Sequence, residues 1–345
     1  MKATKIIALS LAVLLAAASL TGCGGTRMNG DGGGESQTVE ASGGGENKNE
    51  TAEPQAHAPE TIHITFVSSP LNIPSIVERN HGIFAENFAE IGVKNVEYAD
   101  LTSGADQTQA LASGDIQFLY CVGATSVLLS AANGADIKII SMYSRSPEAF
   151  CLFSGDDAIQ SPEDLRGKVV AGPQGTILHE LLAAYLASGG MTIQDVEFVN
   201  TSIPNALAAL SGGSADCALL AGAAAYNAQK SGIHLVTNGA GLVEAAICCA
   251  ATQKFIDEYP DMTVKFLEAQ QDVLDYIDAN HTQAIEETAA FLDLDASAVE
   301  EMAAYYDFSM EIRDSDVASM ESTAAFMLDS GMIEEPVDVA ALVIR

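Results

Sequence analysis

The sequence predicts an α/β fold with two lobes and a helical C-terminal region. Three observations carry this prediction: short apolar strands alternate with helical segments, the alternation restarts near the middle of the chain, and the chain beyond residue 251 is almost wholly helical. After a polar N-terminal region, about 285 residues remain, which suits two lobes of ~100–200 residues each.

The first alternating set starts at Thr61–Val67, where apolar and polar residues alternate with a period of two, as in a strand. Pro74 stands where the first turn of a helix tolerates proline, which predicts a helix running towards Ala89. The elements expected next are a strand at Val93–Tyr98, a helix at Gly104–Ala112, a strand at Ile116–Cys121, a helix at Ala124–Ala132 and a strand at Ile137–Met142. This alternation predicts parallel strands joined by helical crossovers.

The second set opens with a strand at Phe150–Phe153 and a capped turn at Ser161–Leu165. Further strands are predicted at Lys168–Ala171, Val196–Val199, Cys217–Leu220, Ile233–Val236 and Ala245–Ala251. Helices are predicted at Thr176–Ala187, Ile203–Leu210, Ala221–Gln229, Met262–Asp278, Gln283–Phe291 and Ala296–Tyr306. A chain of this kind is expected to hold its ligand between the two lobes.

The N-terminus has the pattern of an export signal. Lys2 and Lys5 precede an apolar run at Ile6–Leu20, and the run ends in Leu20-Thr21-Gly22-Cys23. This ending resembles the bacterial lipobox, which implies a signal peptide over residues 1–22 and a lipid on Cys23. An ordinary signal peptide with a chance cysteine is the alternative. With the lipid, the protein would sit on the extracytoplasmic face of the cell membrane.

The segment 23–60 is rich in Gly, Ser, Glu, Asn and Thr and has almost no large apolar residues, so we expect a disordered linker. The formal charge of −32 argues against nucleic acid as a partner. The six His are scattered and the cysteines beyond Cys23 lie mostly in apolar runs, so neither a metal site nor a cofactor is predicted.

Five short segments, in order over nearly all of the folded region, carry a family pattern. They are Gln109–Ile116, Ser161–Val170, Gly175–His179, Ala208–Cys217 and Phe255–Pro260. Together they resemble the solute-binding lipoproteins of ABC importers for nitrate, taurine, alkanesulfonates and thiamine pyrimidine precursors. These proteins are grouped as sulfonate-binding or NMT1-like type II periplasmic binding proteins.

The resemblance implies the type II periplasmic binding protein fold, with two crossovers between the lobes. Lobe 1 would span residues 61–146, lobe 2 residues 147–244, and residues 245–345 would return to lobe 1 and form the C-terminal helices. It also implies a monomer that captures a small solute in a cleft, closes over it, and delivers it to a permease and an ATPase. The chain itself has no P-loop, so the ATPase would be another subunit.

The family's ligand contacts come from loops at strand ends and from helix starts. Carried over position by position, the contacts implied are Ser68, Ser69, Asn72, Thr102, Ser103, Gly104, Cys121, Gly123, Thr125, Gln174, Gly175, Thr176, Asn205 and Gly222. Several are hydroxyl residues or glycines in front of helices, where free backbone amides attract an anion. Each also has a structural interpretation as a helix cap; Thr176, for example, could cap its own helix.

Two features of the sequence leave the solute open. None of the implied contacts is Lys or Arg, and the segment Leu219–Ala225 is small and neutral where many relatives carry a bulky or charged residue. The solute is therefore either an anion held by helix ends and hydroxyls, or a neutral or cationic molecule such as a pyrimidine. Two other function classes are a ligand sensor and a pyrimidine-forming enzyme; no nucleophile–base pattern favours the enzyme.

Overall fold

The structure is a computed structural model that describes residues 59–344. The predicted signal peptide, the lipidation of Cys23 and nearly all of the predicted linker lie outside the described residues. Within residues 59–344, none of the helices is long and apolar enough to span a bilayer.

The strands form three hydrogen-bonded sheets. They are β1 (Thr61–Phe66), β2 (Asn95–Asp100), β3 (Leu119–Gly123), β4 (Lys138–Arg145), β5 (Phe150–Ser154), β6 (Val169–Gly172), β7 (Glu197–Asn200), β8 (Cys217–Ala221), β9 (His234–Asn238) and β10 (Ala246–Ala251). The sheet orders are β1-β2, β3-β10-β4 and β7-β6-β8-β5-β9. A parallel bridge between Ile64 and Phe118 connects β1 with the chain entering β3.

The expectation of parallel pairing holds for only part of these sheets. β1 pairs with β2, and β6 pairs with β7 and β8, in parallel. In contrast, β5 runs antiparallel to β8 and β9, and β10 runs antiparallel to β3 and β4. β5 and β10 are the strands that follow the two passages of the chain from one group of sheets to the other, so no helical crossover sets their direction.

Most of the helices match predicted segments apart from one break, whereas α8, α12 and α13 lie in the C-terminal region that was predicted to be helical without separate bounds for them. They are α1 (Ile73–His81), α2 (Ile83–Ala89), α3 (Gly104–Ser113), α4 (Ala124–Ala132), α5 (Ile177–Ser188), α6 (Ile203–Ser211), α7 (Gly222–Lys230), α8 (Gln253–Glu258), α9 (Pro260–Ala279), α10 (His281–Leu292), α11 (Ala296–Ala303), α12 (Asp314–Asp329) and α13 (Val339–Leu342). The capped turn at 161–165 is observed as a 3-10 turn at Pro162–Leu165, with the reciprocal Ser161–Asp164 capping box.

The single helix predicted from Pro74 to Ala89 is wrong, because the chain turns at Gly82. Gly82 has a φ of 68°, a left-handed conformation that glycine adopts without steric cost, and its N–H donates to Glu78 O at 2.7 Å. The buried Glu78 carboxylate then accepts the N–H of Phe84 at 2.9 Å and the Tyr98 hydroxyl at 2.6 Å. Burial raises the pKa of Glu78, and these hydrogen bonds offset part of the rise.

Buried aromatic rings join the first sheets to the long helix α9. Phe118 stacks on Phe266 of α9 with 4.4 Å between ring centroids, and Phe84 lies 5.0 Å from Tyr120 and 5.2 Å from Phe266. All four side chains are buried, and each such side chain contributes about 1.5–3 kcal/mol by leaving water. The helical C-terminal region is thus part of the core under β1 and β3.

Two further apolar clusters cover the other faces. One packs α4 against β10 and α12, with Met320 and Met327 of α12 buried in it. The other packs α6 and α7 against β8, with Leu210 and Leu220 buried. The chain passes between the groups of sheets twice, between β4 and β5 and between β9 and β10. The division into lobes at residues 146/147 and 244/245 remains a prediction.

Candidate functional site

The loops and helix starts that follow β3 and β6 are joined by two hydrogen bonds. The Thr125 hydroxyl, at the start of α4, donates to Glu180 Oε2 of α5 at 2.5 Å. The next hydroxyl, Ser126 Oγ, donates to Gly175 O at 3.0 Å. The sequence assigns α4 and α5 to different lobes, so these bonds connect the two predicted lobes face to face.

Glu180 is a buried carboxylate at this contact. Burial raises its pKa, while the hydroxyls of Thr125 and of Thr323 on α12 offset part of the rise. The folded protein therefore keeps a proton on Glu180 at pH values where the unfolded chain has lost it. The contribution of this group to stability falls as pH rises above its ordinary pKa of 4.5.

Replacing Thr125 with valine should lower the free energy of unfolding by about 1–3 kcal/mol, because the buried Glu180 loses its shortest hydrogen bond. Urea unfolding at pH 7 measures this effect. The matched control is Thr108→Val, since the Thr108 hydroxyl donates to Ala105 O of its own helix.

Glu180→Gln should flatten the fall in stability above pH 4.5, because the titrating carboxyl group is removed. An unchanged dependence of stability on pH would contradict the raised pKa of Glu180.

The loop after β1 packs directly against the start of α7. A Cβ at Gly222 would lie 1.7 Å from the Pro70 carbonyl oxygen, and Gly222 has a φ of 56°. Nearby, Gly123 faces Ile177 of α5 at 3.5 Å and Gly175 faces Leu129 of α4 at 3.3 Å, measured from the same Cβ position. Glycine is thus required at residue 222 for the close approach of these two segments.

Cys121 lies where the loops from β1 and β3 meet. Its φ of 83° is in the left-handed region, which is strained for a residue with a side chain, and it stands in a bulge of the β3–β10 pairing. The Asn72 side chain is close enough to the Cys121 thiol to influence its pKa, which burial raises well above the ordinary value. Asn72 Nδ2 donates to Val67 O at 2.8 Å and Ser69 O at 3.1 Å.

Buried polar atoms without a partner gather around this point. They belong to Asn72 (Oδ1), Tyr120, Ser144, Ser146 and Tyr306 (hydroxyls), and none has a hydrogen-bond partner among the described residues. Burial raises the pKa of Tyr306, the Cys121 thiol adds to the rise and the Ser146 hydroxyl offsets part of it, so both groups lie close to the Tyr306 hydroxyl. We call Asn72, Tyr120, Cys121, Ser144, Ser146 and Tyr306 the junction cluster. Because an unpaired buried polar group costs about 1–3 kcal/mol, a water molecule or a bound solute would stabilise the junction cluster by supplying the missing hydrogen bonds.

One wall of the junction cluster is fixed by Arg145. Its guanidinium donates to both carboxylate oxygens of Asp316 at 2.5 Å, to Ser309 O at 3.0 Å and to Glu311 O at 2.7 Å. The backbone of Arg145 also exchanges two hydrogen bonds with Asp307, at 2.9 and 3.0 Å. Ser146 and Tyr306, the neighbours of this pair in sequence, are thereby held opposite each other.

The structure brings together part of the predicted contact set. Asn72, Cys121 and Gly222 meet near the junction cluster, and Gly104, Gly123, Thr125 and Gly175 meet at the α4–α5 contact, where Gly104 packs against Ser126. Their roles in ligand binding stay predictions. Ser68 accepts the N–H of Asn72 through its backbone carbonyl, and Ser69 is exposed.

The other predicted contacts lie apart from the junction cluster or serve the fold. Thr102, Gln174 and Asn205 are exposed, and Gln174 N donates to Asn200 Oδ1 at 3.0 Å. Ser103 caps α3 by accepting the N–H of Asp106 at 3.4 Å. Thr176 is the N-cap residue of α5, but its hydroxyl donates to Pro173 O at 2.9 Å and makes no cap bond to the helix.

Sequence reasoning missed Tyr120, Ser144, Ser146, Tyr306 and Arg145. The one signal that could have found some of them is Ser144-Arg145-Ser146, a polar run at the end of an apolar strand and next to the predicted lobe boundary. Tyr306 gives no such signal, because 160 residues separate it from Ser146 in the numbering. Among the described residues, no group of three or more His, Cys, Asp and Glu could hold a metal ion.

Comparison with known proteins assigns the chain to a family. The model of the family described as "NMT1/THI5 like" matches residues 70–284, which is more than half of the chain. The chain belongs to the NMT1/THI5-like family. The match begins at Pro70 and includes most of the junction cluster together with the α4–α5 contact.

Some of the curated relatives carry names that refer to sulfonates or to taurine. A Bacillus subtilis (strain 168) protein, provisionally named as an aliphatic sulfonates-binding protein, is 26% identical over 275 residues, covering 78% of this chain and 82% of the relative. The taurine-binding periplasmic protein of Escherichia coli (strain K12) is 28% identical over 194 residues, covering 53% of this chain and 59% of the relative.

Solved structures confirm the fold. The alkanesulfonate-binding protein SsuA from Xanthomonas axonopodis pv. citri, bound to MOPS, superposes with a TM-score of 0.75 at 20% identity, covering 84% of this chain and 100% of that one. The desulfurization enzyme DszB superposes with a TM-score of 0.61 at 16% identity, covering 83% and 96%. The NMT1/THI5-like chain thus has the periplasmic binding protein fold, which binding proteins and at least one enzyme share.

Proposed function

We propose that this protein is the extracytoplasmic solute-binding component of an ABC importer, and that its solute is a small sulfonate-type molecule held at the junction cluster. The observation that carries the proposal is the set of partnerless buried polar atoms in the junction cluster. The sulfonate- and taurine-related names of the curated relatives support the class of solute.

The polar atoms of the junction cluster suit a solute with both acceptors and donors. The hydroxyls of Tyr120, Ser144, Ser146 and Tyr306 can donate to sulfonate oxygens, whereas Asn72 Oδ1 can only accept. Both amide hydrogens of Asn72 are already directed at Val67 O and Ser69 O, so its oxygen can accept from the Cys121 thiol or from an N–H or O–H of the solute. No step of chemistry is required of the chain.

A neutral or cationic pyrimidine is the second candidate solute, and one observation favours it. Arg145, the cation beside Ser146, already directs its donors at Asp316, Ser309 and Glu311. Arg166 and Lys168, which the sequence places in a turn and a strand, pair with Asp195 and Asp216. An anion at the junction cluster would therefore be bound by hydroxyls alone.

We also infer that the protein is a binding protein and has no catalytic activity of its own. The fold is shared with a desulfurization enzyme, so the inference rests on the thiols. Burial raises the pKa of Cys121 and Cys248 well above the ordinary value, and raises that of Cys249 to about 12. These thiols stay protonated at neutral pH and are poor nucleophiles. A ligand sensor would bind its solute in the same way, and is distinguished by its partner proteins.

The ligand is tested with the full chain and a thermal-shift panel of taurine, alkanesulfonates, nitrate and pyrimidines. A solute at about 100 times its dissociation constant should stabilise the protein by ~2.7 kcal/mol. Tyr306→Phe should weaken binding of the active solute about tenfold, since one hydrogen bond of ~1.4 kcal/mol is lost, without destabilising the free protein. Tyr185→Phe is the control, because Tyr185 donates to Gln160 O on another part of the chain. If Tyr306→Phe binds the solute as tightly as Tyr185→Phe does, the junction cluster is not the binding site.

Membrane attachment is proposed to occur through a lipid on Cys23, with a permease and an ATPase as partner subunits. Cys23→Ser should release the protein from the membrane fraction into the soluble fraction of the producing cells, because both lipid chains would be lost. Fractionation followed by immunoblotting measures this. Membrane retention of the serine variant would contradict lipid anchoring and leave solute binding unaffected.

A further inference from the structure

A separate cavity of about 80 Å³ lies beside the junction cluster, between β5, α7 and the end of α11. Its walls include Glu148, Cys151, Tyr226, Met302, Tyr305 and Tyr306. The volume is several times what one water molecule needs, and it suits a compact organic group of a few heavy atoms. Three tyrosines and a methionine make its lining aromatic and polarizable.

One unpaired charge faces the edge of this cavity. The Glu148 carboxylate is exposed and forms no ion pair or hydrogen bond within residues 59–344. The neighbouring charges cancel: Lys230 pairs with Glu301 at 3.1 Å, and both are about half exposed. The cavity therefore carries the negative charge of Glu148, and the formal charge of −32 on the whole chain attracts cations over a longer range.

The chain already uses one of these tyrosines to bind a cation. Lys230 Nζ lies 5.0 Å from the centre of the Tyr226 ring, within the range of a cation–π interaction, and the Tyr226 hydroxyl reaches Glu301 at 3.3 Å. An aromatic ring, an adjacent carboxylate and a cation thus occur together at Tyr226. The cavity lining adds Tyr305, Tyr306 and the Glu148 carboxylate and includes no Lys or Arg.

We propose that this cavity is a binding site for a methylated ammonium group. Aromatic rings attract such a group through their negative faces, and Glu148 supplies the opposite charge. A metal ion is disfavoured because the wall offers only one carboxylate among those residues. A strongly hydrated cation is disfavoured because rings and a thioether cannot replace its water. A weakly hydrated, methylated cation loses little on entry.

The proposal does not rest on the proposed function. Tyr306 of the junction cluster and the nearby Gly222 also line the cavity, but Glu148, Tyr226, Met302 and Tyr305 belong to the cavity alone. A sulfonate at the junction cluster and a cation in the cavity can therefore be measured independently.

The test is calorimetric titration of tetramethylammonium chloride into the full chain, with tert-butanol as the neutral molecule of nearly the same shape. We expect tetramethylammonium to bind at least about tenfold more tightly than tert-butanol. Tyr305→Leu and Glu148→Gln should each weaken it about 2- to 30-fold. Tyr305→Phe, which keeps the ring, should retain the affinity, and Glu86→Gln, an exposed carboxylate of α2, is the charge control.

Tyr305 and Glu148 are exposed, so these variants should unfold at the temperature of the unchanged protein, and this is measured alongside. Equal affinity for tetramethylammonium and tert-butanol would overturn the proposal, as would binding that neither Tyr305→Leu nor Glu148→Gln alters. If the sulfonate panel is silent while tetramethylammonium binds as described, the proposed function fails and the cation site stands. The reverse result leaves the proposed function and removes the cation site.

Discussion

Replacing Arg145 with alanine should lower the free energy of unfolding by about 3–5 kcal/mol, because it leaves the carboxylate of Asp316 buried without its partner. The Asp316 side chain is only 6% exposed and that of Arg145 14%, so water replaces the lost hydrogen bonds poorly, and the Arg313 N–H at 2.7 Å remains as a donor to Asp316. The carbonyls of Ser309 and Glu311 lose donors as well. Urea unfolding at pH 7 measures the effect, and solute binding should weaken at least about tenfold, as in Tyr306→Phe, because Tyr306 is no longer held in place.

The control is Arg313→Ala, which removes an exposed guanidinium from the same region. Arg313 pairs with Asp307 at 2.9 Å, with both side chains more than 40% exposed, so the loss should stay below ~1 kcal/mol. Arg145→Met combined with Asp316→Leu should recover most of the stability, since no buried charge remains. An Arg145→Ala variant no weaker than Arg313→Ala would contradict the role of this pair.

Acid should also destabilise the protein, by protonating the Asp316 carboxylate. Burial would raise the pKa of Asp316, but its hydrogen bonds with Arg145 and the Arg313 N–H outweigh burial and lower it. Asp307 behaves alike, with a pKa lowered to about 2 against burial by hydrogen bonds from Ser309 and Arg313. The lowered pKa values of Asp307 and Asp316 stabilise the folded protein above pH 3.8, their ordinary pKa. This stabilisation is lost as the pH falls through the pKa values of the folded state. Arg145→Ala should weaken this acid dependence.

Replacing Gly222 with alanine should weaken solute binding on the order of 100-fold while most of the fold survives. The new methyl group would overlap the Pro70 carbonyl, and backbone cannot move aside as a side chain can. The protein relieves the overlap by separating the predicted lobes. If this leaves about 1% of the molecules closed, the apparent affinity falls about 100-fold. Calorimetric titration with the solute found in the thermal-shift panel measures the change.

Gly213→Ala is the matched control for this variant. Gly213 has a φ of 71° but nothing within 4 Å of its Cβ position. Alanine there should lower the free energy of unfolding only through the strain of the left-handed backbone, by about 1–2 kcal/mol. We expect Gly213→Ala to be destabilised and to bind normally. Equal losses of affinity in both variants would show that backbone strain, and not the contact with Pro70, explains the result.

Much of the fold could be predicted because it depends on local patterns. The helix at Ala124–Ala132 was predicted with its observed bounds, since an apolar run follows Gly123 and ends at Asn133-Gly134. Strand direction could not be predicted for β5 and β10, because an apolar run has the same pattern in either direction. The break at Gly82 was missed because Glu78, Phe84 and Tyr98, which stabilise it, are brought together only by folding.

The candidate site was predictable only at or near strand ends. Gly222 directly follows β8, Asn72 lies in the loop after β1 and Cys121 lies within β3; the family resemblance identified all three as candidates. Ser146 and Tyr306 are brought together through Arg145 and the segment 307–316, a contact that no spacing in the sequence indicates. Hydroxyl residues in front of helices were the least informative guide to ligand contacts. Ser103 caps its own helix, and Thr125 and Ser126 form hydrogen bonds to α5 and to the loop before it.

The order of β3, β10 and β4 also governs when the protein can fold. β10 lies between β3 and β4, and Cys248 lies 126 residues after its partner Val122, whereas the five-stranded sheet is built wholly from residues 150–238. A chain that emerges from its N-terminus first can complete the five-stranded sheet early, but β3 and β4 must wait with unpaired edges until β10 arrives. During that interval newly made chains are most exposed to aggregation and to proteases. Truncation before residue 246 removes β10, so we expect it to harm folding far more than the number of residues removed would suggest.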